Sequence, residues 1–450
     1  MGKLFGTDGV RGIANKDLTP TLTFQLARAC GYILSKKKNT EEPYFIIGKD
    51  TRISSDMLES AIIAGLCSVG VSSVKMGIIP TPVVSFLTSR TNACGGVMIS
   101  ASHNPYPDNG IKFFNFNGFK LEDKEEEEIE TLIEGSDKLP CPTGKGLGKI
   151  LKDDILELYI SSIKKIFGEA HRKVLKGFKL VVDCANGSAF RIAPNVLKDL
   201  GAEVIELSVD PDGININEKC GSTHTDSLRN AVIQEKADLG FAFDGDADRV
   251  IPVDSYGNIV DGDQMMCIIA SYLKSTGRLK NNLVISTVMS NLGFEFALKE
   301  RDISFLRTKV GDRYVVEEML KKGSIIGGEQ SGHIILLDYN NTGDGLITAL
   351  MVLKVILHSG KSLSQLASIV TKYPQILINI PVSSKDSFLR DNYLQEFIKR
   401  EEQFLSDRGR ILVRPSGTEP LVRVMVEAME EVQMKEIAEK IAREIRVRVG

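Results

Sequence analysis

Apolar and polar positions along the chain fall into a pattern that recurs. Short runs of β-branched and aromatic residues end in small or polar loops, and apolar residues at helical spacing follow. Residues 44–48 lead through Lys49-Asp50-Thr51-Arg52 to a helix carrying Leu58, Ile62, Leu66 and Val69, then to a strand over 71–76. Residues 179–183 lead through Cys184-Ala185-Asn186-Gly187 to a helix through Val196 and Leu200, then to a strand over 203–207. Residues 282–286 lead through 287–291 to a helix through Phe296-Ala297-Leu298, then to a strand over 303–307. Period-2 strands alternating with helices predict parallel βαβ sheets.

Each unit reaches one more apolar strand that ends in an unusual polar loop. Strand 95–99 runs into Ser100-Ala101-Ser102-His103-Asn104-Pro105, strand 239–243 into Asp244-Gly245-Asp246-Ala247-Asp248-Arg249, and strand 324–326 into Gly327-Gly328-Glu329-Gln330-Ser331-Gly332-His333. Ligands collect at the carboxyl ends of strands in open α/β sheets, so three such loops predict three domains facing one shared cleft. Residues 137–151, rich in Gly, Pro and Lys, read as a linker, and an amphipathic helix over 155–167 opens the second domain. Residues 251–262 carry the chain into a third. From 373 the order changes to strand 376–382, helix 391–404, strands 409–413 and 421–427, and helix 432–447. The fold class expected is α/β: three similar α/β domains with mixed sheets (1–150, 151–253 and 254–372) and a smaller α+β C-terminal domain (373–450) around a central cleft.

Length fits this division, since 450 residues at about 150 per domain suggest three. A balance of 56 Lys+Arg against 59 Asp+Glu, with no basic block longer than Lys36-Lys37-Lys38, argues against a nucleic-acid partner. Apolar stretches such as 61–74 are too short and too interrupted by Gly and Ser to span a bilayer, and Met1–Asp8 carries no apolar signal segment. The seven cysteines form no CxxC pair, which excludes a zinc or redox motif and a disulfide framework. Reduced thiols in apolar runs, Cys67 among them, fit a cytoplasmic chain.

Asp244, Asp246 and Asp248 place three carboxylates at alternate positions. Such charges repel, a cation relieves them, and an all-oxygen set favours Mg²⁺. An EF-hand is excluded, because Arg249 and Ser255 stand where its Gly and Glu belong. A solvated acidic turn is the bland alternative. Ser102 beside His103, in a chain with a metal loop, suggests phosphoryl transfer through a phosphoserine. A turn satisfying its own backbone explains the same residues, and position alone does not separate Ser102 from Ser100. Arg414-Pro415-Ser416-Gly417-Thr418-Glu419-Pro420, followed by Arg423, reads as a phosphate cradle; a plain β-turn accounts for Pro and Gly but not for two arginines. No Walker A or dinucleotide motif occurs. Glu329, Ser331 and His333 offer a carboxylate, a hydroxyl and an imidazole suited to a sugar, with a buried structural His333 as the alternative. His171 and His358 read as surface residues of helices, and His224 sits in a loop with no legible role.

The four loops in this order resemble the α-D-phosphohexomutase superfamily over essentially the whole chain. Phe5-Gly6-Thr7-Asp8-Gly9-Val10-Arg11-Gly12, Gln330 and Lys309-Val310-Gly311-Asp312-Arg313 resemble its branch acting on glucosamine phosphates. Sister enzymes tend to carry Met in place of Gln330 and Gly-His-Ser in place of Gly311-Asp312-Arg313. Ala247 departs from the pattern, since Gly is commoner there; a methyl group is tolerated if φ is negative. The resemblance implies that Ser102 is the phosphorylated nucleophile and shares Mg²⁺ with Asp244, Asp246 and Asp248. It implies that Arg11, His103, Lys112 and Arg249 surround the transferring phosphoryl group, with His333 near the reacting hydroxyl. Glu329 and Ser331 would hold sugar hydroxyls, and Arg414, Ser416, Gly417, Thr418 and Arg423 the non-reacting phosphate. The implied reaction interconverts glucosamine 6-phosphate and glucosamine 1-phosphate through a 1,6-bisphosphate, feeding cell-wall precursor synthesis. A homodimer is the implied assembly, without nucleic-acid or membrane partners. The rivals are a glucose- or mannose-phosphate mutase, a Mg²⁺-dependent sugar phosphatase and a non-catalytic sugar-phosphate binder.

Overall fold

The protein is described by a computed structural model covering residues 4–6, 8–135, 139–152, 155–169, 173–416 and 420–450. His171, Gly417 and Thr418 lie outside the described residues. The first sheet is built along the chain from β1 (Val10–Ile13), α1 (Pro20–Lys38), β2 (Tyr44–Lys49), α2 (Ser55–Ser68), β3 (Ser72–Ile78), α3 (Thr81–Arg90), β4 (Gly95–Ile99), β5 (Asp108–Asn115), α4 (Asp123–Glu134) and β6 (Ile150–Leu151). Its strand order is β1-β5-β4-β2-β3-β6. Strands β2, β3, β4 and β6 run parallel, and β5 is antiparallel to both neighbours. Thr19 caps α1 by accepting the Leu22 N–H at 3.2 Å, with Pro20 at the first helical position. Helices α1 and α2 bury Leu26, Ile33, Leu34, Leu58, Ile62 and Leu66 against Phe45 and Ile47 of β2.

The second sheet follows from α5 (Leu156–Lys164), β7 (Lys179–Asp183), α6 (Ile192–Asp199), β8 (Glu203–Leu207), α7 (Asp226–Gln234), β9 (Leu239–Phe243) and β10 (Val250–Asp254). The third follows from α8 (Gly262–Ser275), β11 (Leu283–Thr287), α9 (Leu292–Lys299), β12 (Ser304–Thr308), α10 (Asp312–Lys322), β13 (Ile326–Gly328), β14 (Ile334–Leu336), α11 (Gly345–Ser359) and α12 (Leu363–Ala367). Their strand orders are β10-β9-β7-β8 and β12-β11-β13-β14. Set beside β3-β2-β4-β5, these are one arrangement used three times: a central strand, a parallel neighbour on each side, and an antiparallel return strand. The three polar loops occupy the same place in it, between the inner strand (β4, β9 or β13) and its return strand (β5, β10 or β14).

Contacts divide the chain into two compact units, Met1–Val288 with Ser304–Ser368, and Met289–Ile303 with Ile369–Gly450. The second unit adds β15 (Gln375–Pro381), α13 (Lys385–Arg390), α14 (Asn392–Leu405), β16 (Gly409–Pro415), β17 (Leu421–Ala428) and α15 (Glu431–Val449). Its antiparallel sheet has the order β15-β17-β16. Helix α9, although it connects strands of the third sheet, belongs to this second unit. The buried Glu427 carboxylate accepts the Leu292 N–H at 3.3 Å and the Asn291 Nδ2–H at 3.0 Å, and Arg410 pairs with the same carboxylate.

Four local readings differ from the structure. The expected linker ends in a strand: Ser73 N–H donates to Lys149 O at 2.8 Å, and the apolar pair Ile150-Leu151 extends the sheet beside β3. Residues 250–254 are the return strand of the second sheet rather than a connector, because Val250, Ile251 and Val253 are buried there. Strand β13 includes Gly327-Gly328, where a Cβ on Gly327 would meet Ile285 O at 2.7 Å. Cys67 is only half-buried and Cys141 is exposed; all seven cysteines are free thiols.

Ala247 has φ +55°, so the condition of negative φ is not met and its methyl group sits in the left-handed region. For a residue with Cβ this conformation costs about 1–2 kcal/mol. Helix α11 supplies the constraint that keeps it: the Gly345 N–H donates to Ala247 O at 3.0 Å, and a Cβ on Gly345 would meet Arg249 O at 2.6 Å. A buried Ala→Gly change ordinarily costs about 1 kcal/mol. For Ala247→Gly, relief of the left-handed strain offsets that loss, and the melting temperature should be unchanged or higher. A clear drop in a thermal melt would show that the strain is absent.

Candidate functional site

Ser102 ends the turn after β4 with φ +53°, a rare conformation for serine. Its Oγ lies 2.5 Å from Asp244 Oδ2 and 3.4 Å from His103 Nδ1. Ser100 is differently engaged: its hydroxyl donates to Asp50 Oδ2 at 2.6 Å and accepts the Ser102 N–H at 2.9 Å. The structure thus separates two serines that the sequence left equivalent, with Ser102 turned toward the acidic loop and Ser100 holding the turn. Burial, reinforced by the charges of Arg249 and Arg11, pulls His103 down to about 4, so its imidazole is neutral at neutral pH.

Asp244, Asp246 and Asp248 sit together at the end of β9, their ligand oxygens within 4.8 Å of one another and all three buried. Burial and the charges of Asp248 and Asp246 push Asp244 well above the usual carboxylate range. Burial also opposes ionisation of Asp248, but Lys112, His333 and Arg249 outweigh it and hold the group well below that range. Lys112 on β5 is buried, with Nζ 2.8 Å from Asp246, 3.4 Å from Asp248 and 3.0 Å from Asp8. Thr81, at the start of α3, donates its hydroxyl to Asp246 Oδ2 at 2.6 Å and its N–H to Asp246 O at 2.9 Å. Asp246 Oδ1 and Asp248 Oδ1 remain buried without a hydrogen-bond partner. An all-oxygen set of three clustered carboxylates with two oxygens that accept no hydrogen bond fits a hard divalent cation.

A cavity of about 420 Å³ opens beside this cluster, lined among others by Asp8, Arg11, His103, Lys120, Asp248, Arg249, Asp312, Glu329 and His333. Arg11 pairs with Asp8 and reaches Ala101 O at 3.4 Å; Arg249 Nη1 lies 3.3 Å from His103 Nδ1. The Nε groups of Arg11 and Arg249 are buried donors without a hydrogen-bond partner. His333 is wedged between Asp248 (3.6 Å from Nδ1) and Asp312 (3.3 Å from Nε2). Burial alone would lower its pKa, but the two carboxylates raise it to about 10. Glu329 Oε1 accepts the Gly311 N–H at 3.2 Å, whereas Ser331 is exposed and does not line the cavity.

The cavity also holds residues to which sequence reasoning gave no role. Lys120 bridges Asp8 and Asp312, the latter at 2.6 Å, so its charge joins the first polar segment of the chain to the start of α10. The only sequence signal for Asp8 and Asp312 was their place in the two short motifs that mark the amino-sugar branch. Lys112 sits behind the aspartates rather than on the cavity wall. His224 and His358 are both exposed.

In the second unit, Arg414 on β16 and Arg423 on β17 are direct cross-strand partners. Burial and then the charge of Arg423 lower the Arg414 pKa. Like charges opposed across a ladder are unfavourable unless an anion joins them. Ser416 closes the strand end by donating its N–H to Leu421 O at 2.8 Å, while Lys385 Nζ donates to Ser416 O at 2.7 Å.

Four patterns of one family match the chain. Residues 2–139, 157–257 and 261–373 match phosphoglucomutase/phosphomannomutase alpha/beta/alpha domains I, II and III, and 377–444 match its C-terminal domain. A phosphoglucosamine mutase of Carboxydothermus hydrogenoformans is 53% identical over 443 residues, covering 98% of each chain. Among solved structures, a phosphoglucomutase/phosphomannomutase family protein from Burkholderia thailandensis aligns with a TM-score of 0.82 at 24% identity, covering 100% of this chain and 98% of that one. An N-acetylphosphoglucosamine mutase of Aspergillus fumigatus, in complex with GlcNAc-6P and magnesium, aligns with a TM-score of 0.65 at 18% identity, covering 99% and 96%. With all four domain patterns present in order, the chain belongs to the phosphoglucomutase/phosphomannomutase family.

Proposed function

We propose that the protein is an isomerase of amino-sugar metabolism that interconverts glucosamine 6-phosphate and glucosamine 1-phosphate. The observation that carries this reading is the set of orphaned groups around one hydroxyl. Asp246 Oδ1, Asp248 Oδ1, Arg11 Nε and Arg249 Nε are buried without a hydrogen-bond partner, and Ser102 Oγ lies against Asp244 of the same acidic loop. A site with vacant valences of both signs suits a phosphoryl group bound with a metal ion. The 53% identity to a curated phosphoglucosamine mutase supports the amino-sugar substrate over glucose or mannose phosphates.

In this reading Ser102 carries a phosphoryl group. The 1-hydroxyl of glucosamine 6-phosphate attacks that phosphorus, the P–O bond to Ser102 Oγ breaks, and the hydroxyl's proton passes by way of a base on the cavity wall, near His333, to the departing Ser102 oxygen. The resulting 1,6-bisphosphate turns around, and its 6-phosphoryl returns to Ser102. Arg11, His103 and Arg249 face the transferring group, and Lys112 pairs with Asp246 and Asp248. Asp244, Asp246, Asp248 and a Ser102 phosphate oxygen would hold Mg²⁺, which when bound neutralises charge on the transferring phosphoryl. Glu329 serves the sugar hydroxyls from the cavity wall, and Ser331, exposed outside it, would join only by moving onto bound sugar. Arg414, Ser416, Gly417, Thr418 and Arg423 serve the non-reacting phosphate. The four segments 1–150, 151–253, 254–372 and 373–450 would then contribute nucleophile, metal, sugar and phosphate loops. No helix among the described residues is long and apolar enough to cross a membrane. A homodimer in the cytoplasm completes the proposal.

A side-by-side assay with glucosamine, glucose and mannose 6-phosphates, each with a trace of sugar 1,6-bisphosphate, should favour glucosamine; preference for glucose overturns the substrate assignment. Ser102→Ala should lower turnover by about 10³-fold or more, and intact-mass analysis should find the phosphate of the wild type missing. Steady release of free phosphate by the wild type would identify a phosphatase instead. Chelation should abolish activity and added Mg²⁺ restore it, while Asp246→Asn should lower kcat by about 100-fold or more at saturating Mg²⁺. Arg414→Ala and Arg423→Ala should each weaken substrate use by about 10-fold or more, read as kcat/KM. Unchanged kinetics in both variants would remove the cradle assignment.

A further inference from the structure

The Asp50-Thr51-Arg52 segment after β2 has no part in the chemistry above, yet Arg52 uses all three guanidinium nitrogens as donors. Arg52 is buried, 2% exposed, and both terminal nitrogens of its guanidinium donate to one short stretch of backbone. Nη2 donates to Ser102 O at 3.0 Å and Asn104 O at 2.8 Å; Nη1 donates to Pro105 O at 2.5 Å and Asp108 O at 3.0 Å. Nε donates to Asp50 Oδ2 at 2.8 Å. The same Asp50 oxygen accepts the Ser100 hydroxyl, which in turn accepts the Ser102 N–H. Both peptide groups flanking the Ser102 Cα are therefore tied to one Asp50–Arg52 pair, its N–H through Ser100 and its carbonyl directly.

A residue whose two flanking peptide planes are fixed has no freedom left in φ and ψ, and at Ser102 the fixed conformation is left-handed. Asn217, from the second domain, adds Nδ2 donations to the same two carbonyls, Ser102 O at 2.9 Å and Asn104 O at 3.1 Å. We infer that Arg52 is a positioning residue for phosphoryl transfer: by gripping the carbonyls of the 102–108 loop it holds Ser102 Oγ on Asp244, acting on the reaction through the nucleophile and without touching substrate. A planar fork with five donors meets this geometry, and an ammonium with three donors does not. The inference rests on Ser102 as the nucleophile.

Arg52→Lys keeps the charge and loses the fork. It should lower kcat by about 10- to 100-fold, the scale of a nucleophile displaced by about an ångström, and leave KM for the sugar phosphate within about twofold. In Arg52→Ala, guanidinium ion at millimolar concentration should restore part of kcat, whereas urea or sodium chloride should not. Asn217→Ala, which removes the second grip on the same carbonyls, should show a smaller fall in kcat, again with KM retained. Circular dichroism and thermal melts establish that each variant is folded. A folded Arg52→Lys with wild-type kcat, or a loss confined to KM, overturns the inference. Failure of all the variants to fold overturns it too, by assigning these side chains to the stability of the domain. Turnover that survives Ser102→Ala would instead defeat the underlying assignment of the nucleophile, so the two failures are distinguishable.

Discussion

Three carboxylates crowded into a buried turn repel one another, and the groups that answer this repulsion account for much of the arrangement around them. Desolvation makes the problem worse, because water no longer screens the charges. Lys112 answers from β5 of the first sheet, His333 from just before β14 in the third, and Thr81 from the start of α3. Groups far apart in the chain are thereby drawn to one point, and the 244–248 loop becomes the place where three sheets of the first unit meet. Two carboxylate oxygens, Asp246 Oδ1 and Asp248 Oδ1, still accept no hydrogen bond, which leaves lone pairs for a cation.

Backbone strain follows the same geography. Ser102 and Ala247, both left-handed and both in loops of the site, are each held by contacts from another domain: Asn217 on the Ser102 carbonyl and the Gly345 N–H on the Ala247 carbonyl. A loop fixed by its own domain alone could relax when that domain breathes. Cross-holding removes this freedom, and the hydroxyl, the carboxylates and the arginines are preorganised before any substrate arrives.

Strands read from the sequence were most accurate where an apolar residue holds the centre of the run. The segments 95–99, 203–207 and 239–243 coincide with β4, β8 and β9 to the residue. Glycine blurred the reading at β13, because Gly327-Gly328 looks like a loop in one dimension and packs as strand in three. The Ser102, Asp-triad and Glu329–His333 loops were legible because each is a local cluster of unusual residues. Arg52, Asn217, Thr81 and Lys120 were not, since each works through partners distant in the chain: Lys120 meets Asp312, and Thr81 meets Asp246. Ala247 was misread for a related reason. Composition gives the residue, but only the path of the backbone gives its φ.

One strand order underlies three sheets, yet the loops at its shared position differ in chemistry: a serine with a histidine, a triad of aspartates, and a glutamate with a histidine. The scaffold beneath each loop is indifferent to what the loop carries, because the hydrogen bonds of the ladder stop where the loop begins. Duplicated copies of such a unit can diverge independently, each rewriting one strand end while its sheet stays folded. A division of labour among repeats of a single ancestral module is then the economical history for a site of this kind, with the cross-domain ties added as the copies became dependent on one another.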